Sequence, residues 1–219
     1  MPLRWPNRLA LAVALLCGVT LAEISRAEPD GASLYGEHCV ACHGEARLGG
    51  TGPALLPENL GRLRAKAATA VISEGRAGTQ MPAFGDTLTE EDIAALVAFI
   101  YRPPAEMPRW GEPEIAASRT LNADAPQVSE PTYDADPLNL FVVVETGDHH
   151  ATILDGDKFE PITRFPTRFA LHGGPKFSPD GRYVFFMSRD GWVMKYDLWT
   201  LTVLGEVRAG INSRNIALS

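Results

Sequence analysis

The sequence predicts two units of different class joined end to end, all-α in the first half and antiparallel β in the second. Three observations predict this. Apolar residues recur at helical spacing as far as residue 102, the stretch 103–137 is rich in Pro, Ala, Asp and Glu without a sustained period, and from residue 138 the apolar period drops to two. A length of 219 residues and a hydrophobic content of 45% suit one large domain or two small ones. The net charge of −7 removes the electrostatic footprint of a sequence-independent nucleic-acid binder, so no nucleic acid is expected as a partner.

Residues 1–27 read as a secretory signal peptide. Arg4 and Arg8 precede an apolar run over 9–22, and Ser25 and Ala27 supply small residues at the −3 and −1 positions of a cleavage site. The run is shorter than the ~20 residues that cross a bilayer, so no stable membrane anchor is expected after cleavage. Leu16 before Cys17 does not suit lipoprotein processing, which wants a small residue there. The expected location is the periplasm. Once this segment is removed, the remaining cysteines are Cys39 and Cys42.

Residues 28–102 form the first unit. Asp30 can cap a short helix that carries Leu34, Tyr35 and His38 up to Cys39-Val-Ala-Cys-His43, and Gly44 stops it. Cys-x-x-Cys-His is the attachment pattern for c-type haem, and its spacing has a mechanical reason. Two thiols three positions apart on a helix end each reach one vinyl group of the porphyrin, and the next residue turns its imidazole to the iron. A thioredoxin-like dithiol would need a strand-helix-strand setting, and a zinc site a second ligand pair. Neither pattern follows downstream, so one covalent haem c is expected on Cys39 and Cys42, with His43 on its iron.

The loop 49–56, Gly-Gly-Thr-Gly-Pro-Ala-Leu-Leu, carries glycines that let the backbone approach a flat ligand. Pro53 is placed to offer its neighbourhood's carbonyl to the His43 ring, which fixes the tautomer and raises the ligand's basicity. A second helix is expected over 65–74, ending at Gly75. A third begins at Thr89 with a Thr-x-x-Asp box to Asp92 and runs to Tyr101 before Pro103 and Pro104, with Ile93, Leu96, Val97 and Ile100 on its packed face. The sixth iron ligand is expected on the loop between these helices, where Met81 precedes Pro82, Phe84 and Gly85; Met/His ligation raises the reduction potential. Met107, Met187 and Met194 read as core filler. His38 is a competing ligand but is expected at the haem edge or facing solvent. From about residue 31 to 102, CVACH, GTGPAL, MPAFG and the closing helix resemble, in order, a class I cytochrome c domain.

The linker, 103–137, is expected to be partly ordered around Trp110, docked on the first unit. In the region 138–219, strands are expected over 140–144, 151–154, 182–188, 192–197 and 203–208, separated by turn signals at 147–148, 155–156, 178–181 and 189–191. F-S-P-D-G-R-Y and D-G-W-V before Y-D-L are how a β-propeller blade is written, at roughly 40–50 residues each. The chain then holds about one blade and the opening strand of a second over 214–218. Since a propeller closes with four to eight blades, a fragment of a longer protein is expected.

A cytochrome c domain followed by LFVVVETGDHHATILDGDKF and RFALHGGPKFSPDGRYVFFMSRDGWVMKYDLWTLTVLGEVRAGINSRN resembles the haem d1 proteins of denitrifying bacteria. The resemblance implies an all-α class I cytochrome c domain followed by the first blade or blades of an eight-bladed, cytochrome cd1-type β-propeller, truncated here. It also implies that His172 is the proximal ligand of haem d1 or dihydro-haem d1, held non-covalently. By itself, a lone histidine before two glycines reads as a turn residue. Three functions compete. HGGPKFSPDGRYVFF and RDGWV-x-KYDLW look like the branch that dehydrogenates dihydro-haem d1, propionate to acrylate, with haem c as electron acceptor. A cytochrome cd1 nitrite reductase, reducing nitrite to nitric oxide, would show HIS-R where this chain has His172-Gly-Gly-Pro175 and an Arg near Thr146. A non-enzymatic electron shuttle with a partner-binding propeller is the third. The implied partners are periplasmic electron-transfer proteins, with nitrite reductase and other haem d1 biosynthesis proteins beside them; the catalytic groups are expected in later blades.

Overall fold

The computed structural model describes residues 28–218, so the expected signal peptide lies outside the described residues. The first half is built from α1 (Gly31–His38), α2 (Val40–His43), α3 (Ala65–Glu74) and α4 (Glu90–Tyr101). Each terminus has a local cause. The Asp30 carboxylate accepts the Ala32 and Ser33 amides at 3.2 Å each, and Gly44, at φ 76°, ends α2 where other residues would be strained. Thr89 and Asp92 form the expected capping box at the start of α4.

Helices α1 and α3 both pack on α4, and the apolar faces meet in one cluster of Tyr35, Leu60, Ile72, Ile93, Leu96 and Ile100. Burying a side chain of this size stabilises by about 1.5–3 kcal/mol relative to leaving it exposed. The approach of α1 to α4 is close enough that a Cβ on Gly31 would lie 2.3 Å from the Ala95 carbonyl oxygen. Arg47, itself 5% exposed, donates to the carbonyls of Phe99 at 2.9 Å, Ile100 at 3.2 Å and Arg102 at 3.1 Å. It thereby satisfies the orphan carbonyls at the end of α4 from a loop fifty residues earlier.

The segment between the halves is more ordered than its composition suggests. It holds α5 (Glu112–Ser118) and a short strand β1 (Thr120–Leu121). Trp110 does not dock on the helical half as expected. Its Nε1–H donates to the Arg208 carbonyl at 2.8 Å and its ring lies 4.8 Å from the Arg208 guanidinium, because the segment runs along the β half and the indole finds its acceptor there.

The strands of the second half are β2 (Leu140–Glu145), β3 (His150–Asp155), β4 (Pro161–Pro166), β5 (Lys176–Phe177), β6 (Tyr183–Met187), β7 (Trp192–Asp197) and β8 (Thr202–Arg208). They form two antiparallel sheets, one of three strands ordered β2-β3-β4 and one of five ordered β1-β8-β7-β6-β5. The linker strand β1 thus completes the second sheet, with Thr120 opposite Glu206. Between the sheets Phe165 stacks on Tyr196 at 4.0 Å and meets Phe186 edge-on at 5.8 Å. Met187 and Met194 are core filler as expected, whereas Met107 is 51% exposed, since it lies in the irregular linker outside both apolar clusters.

The five strands expected from alternation are present. Strands β4 and β5 were not expected, and the expected strand over 214–218 is not one. Its backbone turns instead toward the 172–173 loop, where the Arg214 carbonyl accepts a hydrogen bond from the His172 side chain rather than from a neighbouring strand. No helix among the described residues is long and apolar enough to cross a membrane. Because a Cβ at position 31 must push α1 off α4, Gly31→Ala should destabilise the chain by about 1–3 kcal/mol, read as a lower midpoint in thermal or urea unfolding.

Candidate functional site

Cys39 caps α2 and the helix then carries Cys42 and His43, so the motif occupies one continuous turn. The two thiols are unbonded to each other, Cys42 exposed and Cys39 half-buried. Burial, with Cys42 beside it, pushes the Cys39 thiol up to about 11, the opposite of the lowered value a dithiol redox couple needs. His43 is 8% exposed and burial holds it below its ordinary range, so the imidazole is neutral at pH 7. Its Nδ1–H donates to the Pro53 carbonyl at 2.8 Å, as the position of Pro53 predicted, which leaves the Nε2 lone pair free for a metal.

In the 49–56 loop, Gly52 lies against the His43 ring. A Cβ on Gly52 would lie 2.7 Å from His43 Cε1. Gly49, at φ 87°, donates its N–H to the His43 carbonyl at 2.9 Å, and Gly52 donates to that of Cys42 at 2.9 Å. The backbone is folded over the imidazole.

Met81 sits on a loop that is tied at both ends. Phe84 and Gly85 donate to the Ile72 and Ser73 carbonyls at 2.9 Å each, Arg76 donates to the Met81 carbonyl at 3.1 Å, and the Met81 N–H reaches Thr79 Oγ1 at 3.2 Å. Met81 and Cys39 pack, with Leu34, Leu55, Leu63 and Phe84, against the same apolar cluster. His38 rests beside the Phe84 ring, 6.0 Å between centroids. A neutral, oriented imidazole, a soft thioether, two thiols spaced along a helix end and an apolar wall are a donor set that fits haem c.

His172 lies on the edge of the second sheet, where Leu171 bridges Ser188 and the His172 N–H donates to the Met187 carbonyl at 2.7 Å. Gly173 and Gly174 follow at φ 79° and 70°, so the backbone bulges away from β6 immediately after the ring. The His172 Nδ1–H donates to the Arg214 carbonyl at 2.7 Å. An acceptor for this ring is therefore within the chain itself. His172 lines a cavity of about 230 Å³ together with Val144, Thr146, Leu171, Pro175, Phe186 and Met187. Thr146 and His172 thus share one site. A histidine oriented through Nδ1 beside an apolar hollow fits a flat macrocycle carrying iron.

The helical and β halves meet at both loops of the first site. A Cβ on Gly147, in the β2–β3 turn, would lie 2.8 Å from the Gly78 carbonyl, on the loop of Met81. Asp190, in the β6–β7 turn and 5% exposed, accepts the Ala54 N–H at 3.2 and 3.3 Å. Arg208, 6% exposed, donates to the carbonyls of Leu48 at 2.6 Å, Asp190 at 2.9 Å and Gly210 at 3.2 Å. Sequence reasoning missed Arg47, Asp190 and Arg208. Asp190 reads as a turn residue before Gly191 and Arg208 as the last residue of a strand, and no local pattern marks contacts to residues more than a hundred positions away.

The helical half and its motif define a class. The chain belongs to the c-type cytochromes: it is 41% identical over 91 residues to cytochrome c55X of Stutzerimonas stutzeri, covering 80% of that protein. It is also a close homologue of the Dihydro-heme d1 dehydrogenase of Pseudomonas aeruginosa, 56% identical over 209 residues, which are 94% of this chain and 42% of that protein. The chain therefore spans less than half the length of that relative. Residues 26–100 match the family "Cytochrome C oxidase, cbb3-type, subunit III" and residues 135–219 the family "Cytochrome D1 heme domain". A solved structure of "Dihydro-heme d1 dehydrogenase NirN in complex with DHE" superposes with a TM-score of 0.77 at 59% identity, over 84% of this chain and 40% of that one. The Nitrite reductase of Stutzerimonas stutzeri is more distant, 28% identical over 208 residues, 85% of this chain and 36% of that protein.

Replacing Arg208 by an apolar residue strands three carbonyls at once, one buried and two half-buried. Arg208→Met should cost on the order of 3 kcal/mol in urea unfolding and speed amide exchange across residues 48–54.

Proposed function

We propose that the protein works as a periplasmic dihydro-haem d1 dehydrogenase. What carries this reading is the repetition of one construction: two histidines, His43 and His172, each with Nδ1–H held by a backbone carbonyl at 2.8 and 2.7 Å, in halves of different class. Identity of 56% to the Pseudomonas aeruginosa dehydrogenase, against 28% to a nitrite reductase, favours this chemistry over nitrite reduction. So does Thr146, which stands in the His172 cavity where a nitrite reductase would carry an Arg.

In this reading Cys39 and Cys42 would bond haem c covalently, and His43 and Met81 would hold its iron. His172 would hold the iron of dihydro-haem d1, with Gly173 and Gly174 giving the macrocycle room and the Arg214 carbonyl fixing the ring. The reaction would remove two electrons and two protons from one propionate to leave an acrylate, and haem c, held by Cys39, Cys42, His43 and Met81, would supply a one-electron acceptor, with periplasmic electron-transfer proteins as the protein's partners. Nitrite reductase and other haem d1 biosynthesis proteins would be its further partners. The apolar residues beside His172, Val144, Leu171, Phe186 and Met187 among them, would give the macrocycle an apolar wall to lie against. The groups that take the protons belong to the remaining length of the relatives.

Residues 1–27 would be the exported protein's signal peptide, 28–102 the haem c domain and 103–137 the connection. Residues 138–219 would open a β-propeller, the two antiparallel sheets being its first blades.

Two experiments test the reading. A denaturing gel with a haem peroxidase stain should show colour in the wild type that the double variant Cys39→Ala, Cys42→Ala lacks; equal colour in both removes the covalent haem. In the full-length protein from a haem d1-producing host, His172→Ala should lose the long-wavelength haem d1 absorption and keep the haem c spectrum. Undiminished haem d1 with an unchanged iron spectrum would leave His172 a turn residue, and no haem d1 in the wild type would leave an electron shuttle.

A further inference from the structure

The carbonyl that takes the His43 ring proton and the amide that Asp190 accepts belong to one peptide group. Pro53 C=O faces His43 Nδ1 at 2.8 Å, and the N–H at the other end of the same planar unit, that of Ala54, faces the Asp190 carboxylate at 3.2 and 3.3 Å. We propose that Asp190, from the β half, is a positioning residue for His43: through the Pro53–Ala54 peptide it holds and polarises the carbonyl that orients this haem c ligand. The inference rests on the reading of His43 as an iron ligand.

The physical argument is cooperativity along a hydrogen-bonded chain. A negative charge accepting the amide proton drives electron density through the conjugated peptide onto its oxygen, and the oxygen then binds the Nδ1–H more strongly. A more imidazolate-like ring donates more to iron and favours Fe(III). The geometry is built for this contact. Both carboxylate oxygens lie near the same N–H, and Ala54 itself is 1% exposed. Gly49 leaves the room: a Cβ there would stand 2.3 Å from Asp190 Oδ2. Arg208 pins the partners together, one arm on the Asp190 carbonyl and the other on that of Leu48.

The charged groups facing the carboxylate are Arg208 from β8 and Arg189 from its own turn; burial outweighs their pull and that of the Ala54 amide, leaving Asp190 up at about 6. The peptide is then most polarised above that pH.

The test uses Asp190→Asn in the chain carrying haem c. Asparagine keeps the shape and can still accept from Ala54 through its amide oxygen, so a role in packing alone leaves the haem unmoved. The expected result is a shift of the haem equilibrium toward Fe(II) of about tenfold, roughly 59 mV for one electron, and upfield movement of the His43 Nδ1–H resonance in the reduced protein. The wild-type potential should also fall relative to the variant's as pH rises through about 6. An unchanged potential overturns the proposal. A changed potential with an unmoved Nδ1–H resonance overturns it too, leaving only a charge acting through space. Absence of covalent haem from the wild type would instead be a failure of the haem reading itself, which the spectrum reports first.

Discussion

The loop from Gly44 to Leu56 has no regular structure of its own, yet it is closed in from two sides and cannot leave its backbone groups to water. This need to satisfy a buried, irregular backbone organises much of the rest. Arg47 turns inward from the loop and serves the end of α4; Arg208 reaches in from β8 and serves Leu48; Pro53 gives its carbonyl to a side chain. Arg208 and Asp190 answer backbone groups that the loop's own geometry leaves single, while Arg47 answers carbonyls at the end of α4. Glycine at positions 49 and 52 is a second expression of the constraint, since the backbone can fold over the imidazole and against Asp190 only without side chains.

The helical half was largely legible because its signals are local. Caps at Asp30 and Thr89, glycine stops at 44 and 75 and the period of Ile93, Leu96, Val97 and Ile100 are written within a few residues of what they determine. The His43 to Pro53 bond was legible because the motif and its loop are adjacent in sequence. In the β half, alternation marked the well-paired strands and missed β4, which begins and ends on proline. It also invented a strand at 214–218, where apolar spacing is present and a pairing neighbour is not. Trp110 went to the wrong half for a related reason: a tryptophan announces that it will find an acceptor, not which one.

The two histidine sites were unequally visible. His43 comes with its own chemistry in five residues. His172 had the glycines after it but not the carbonyl of Arg214, which approaches from 42 residues downstream. Both end as the same device, a ring tied through Nδ1 by main chain, reached once through a helix end and once through a sheet edge. Main-chain acceptors suit this task, since a carbonyl fixed at both ends by the chain holds a ring more firmly than a side chain with free torsions does.

The placement of β1 bears on the order in which the chain assembles. Thr120 and Leu121 are delivered long before Glu206 and Gly205, their partners, and Leu48 waits longer still for Arg208. The helical half has only short-range closures to make and can form while the later sheet is still being delivered. During that interval the face of the Gly44–Leu56 loop that later meets the sheet is open, with Leu48 and Ala54 still exposed. Strand β8 shuts it when it arrives, so the helical half is finished by a segment more than a hundred residues further along the chain.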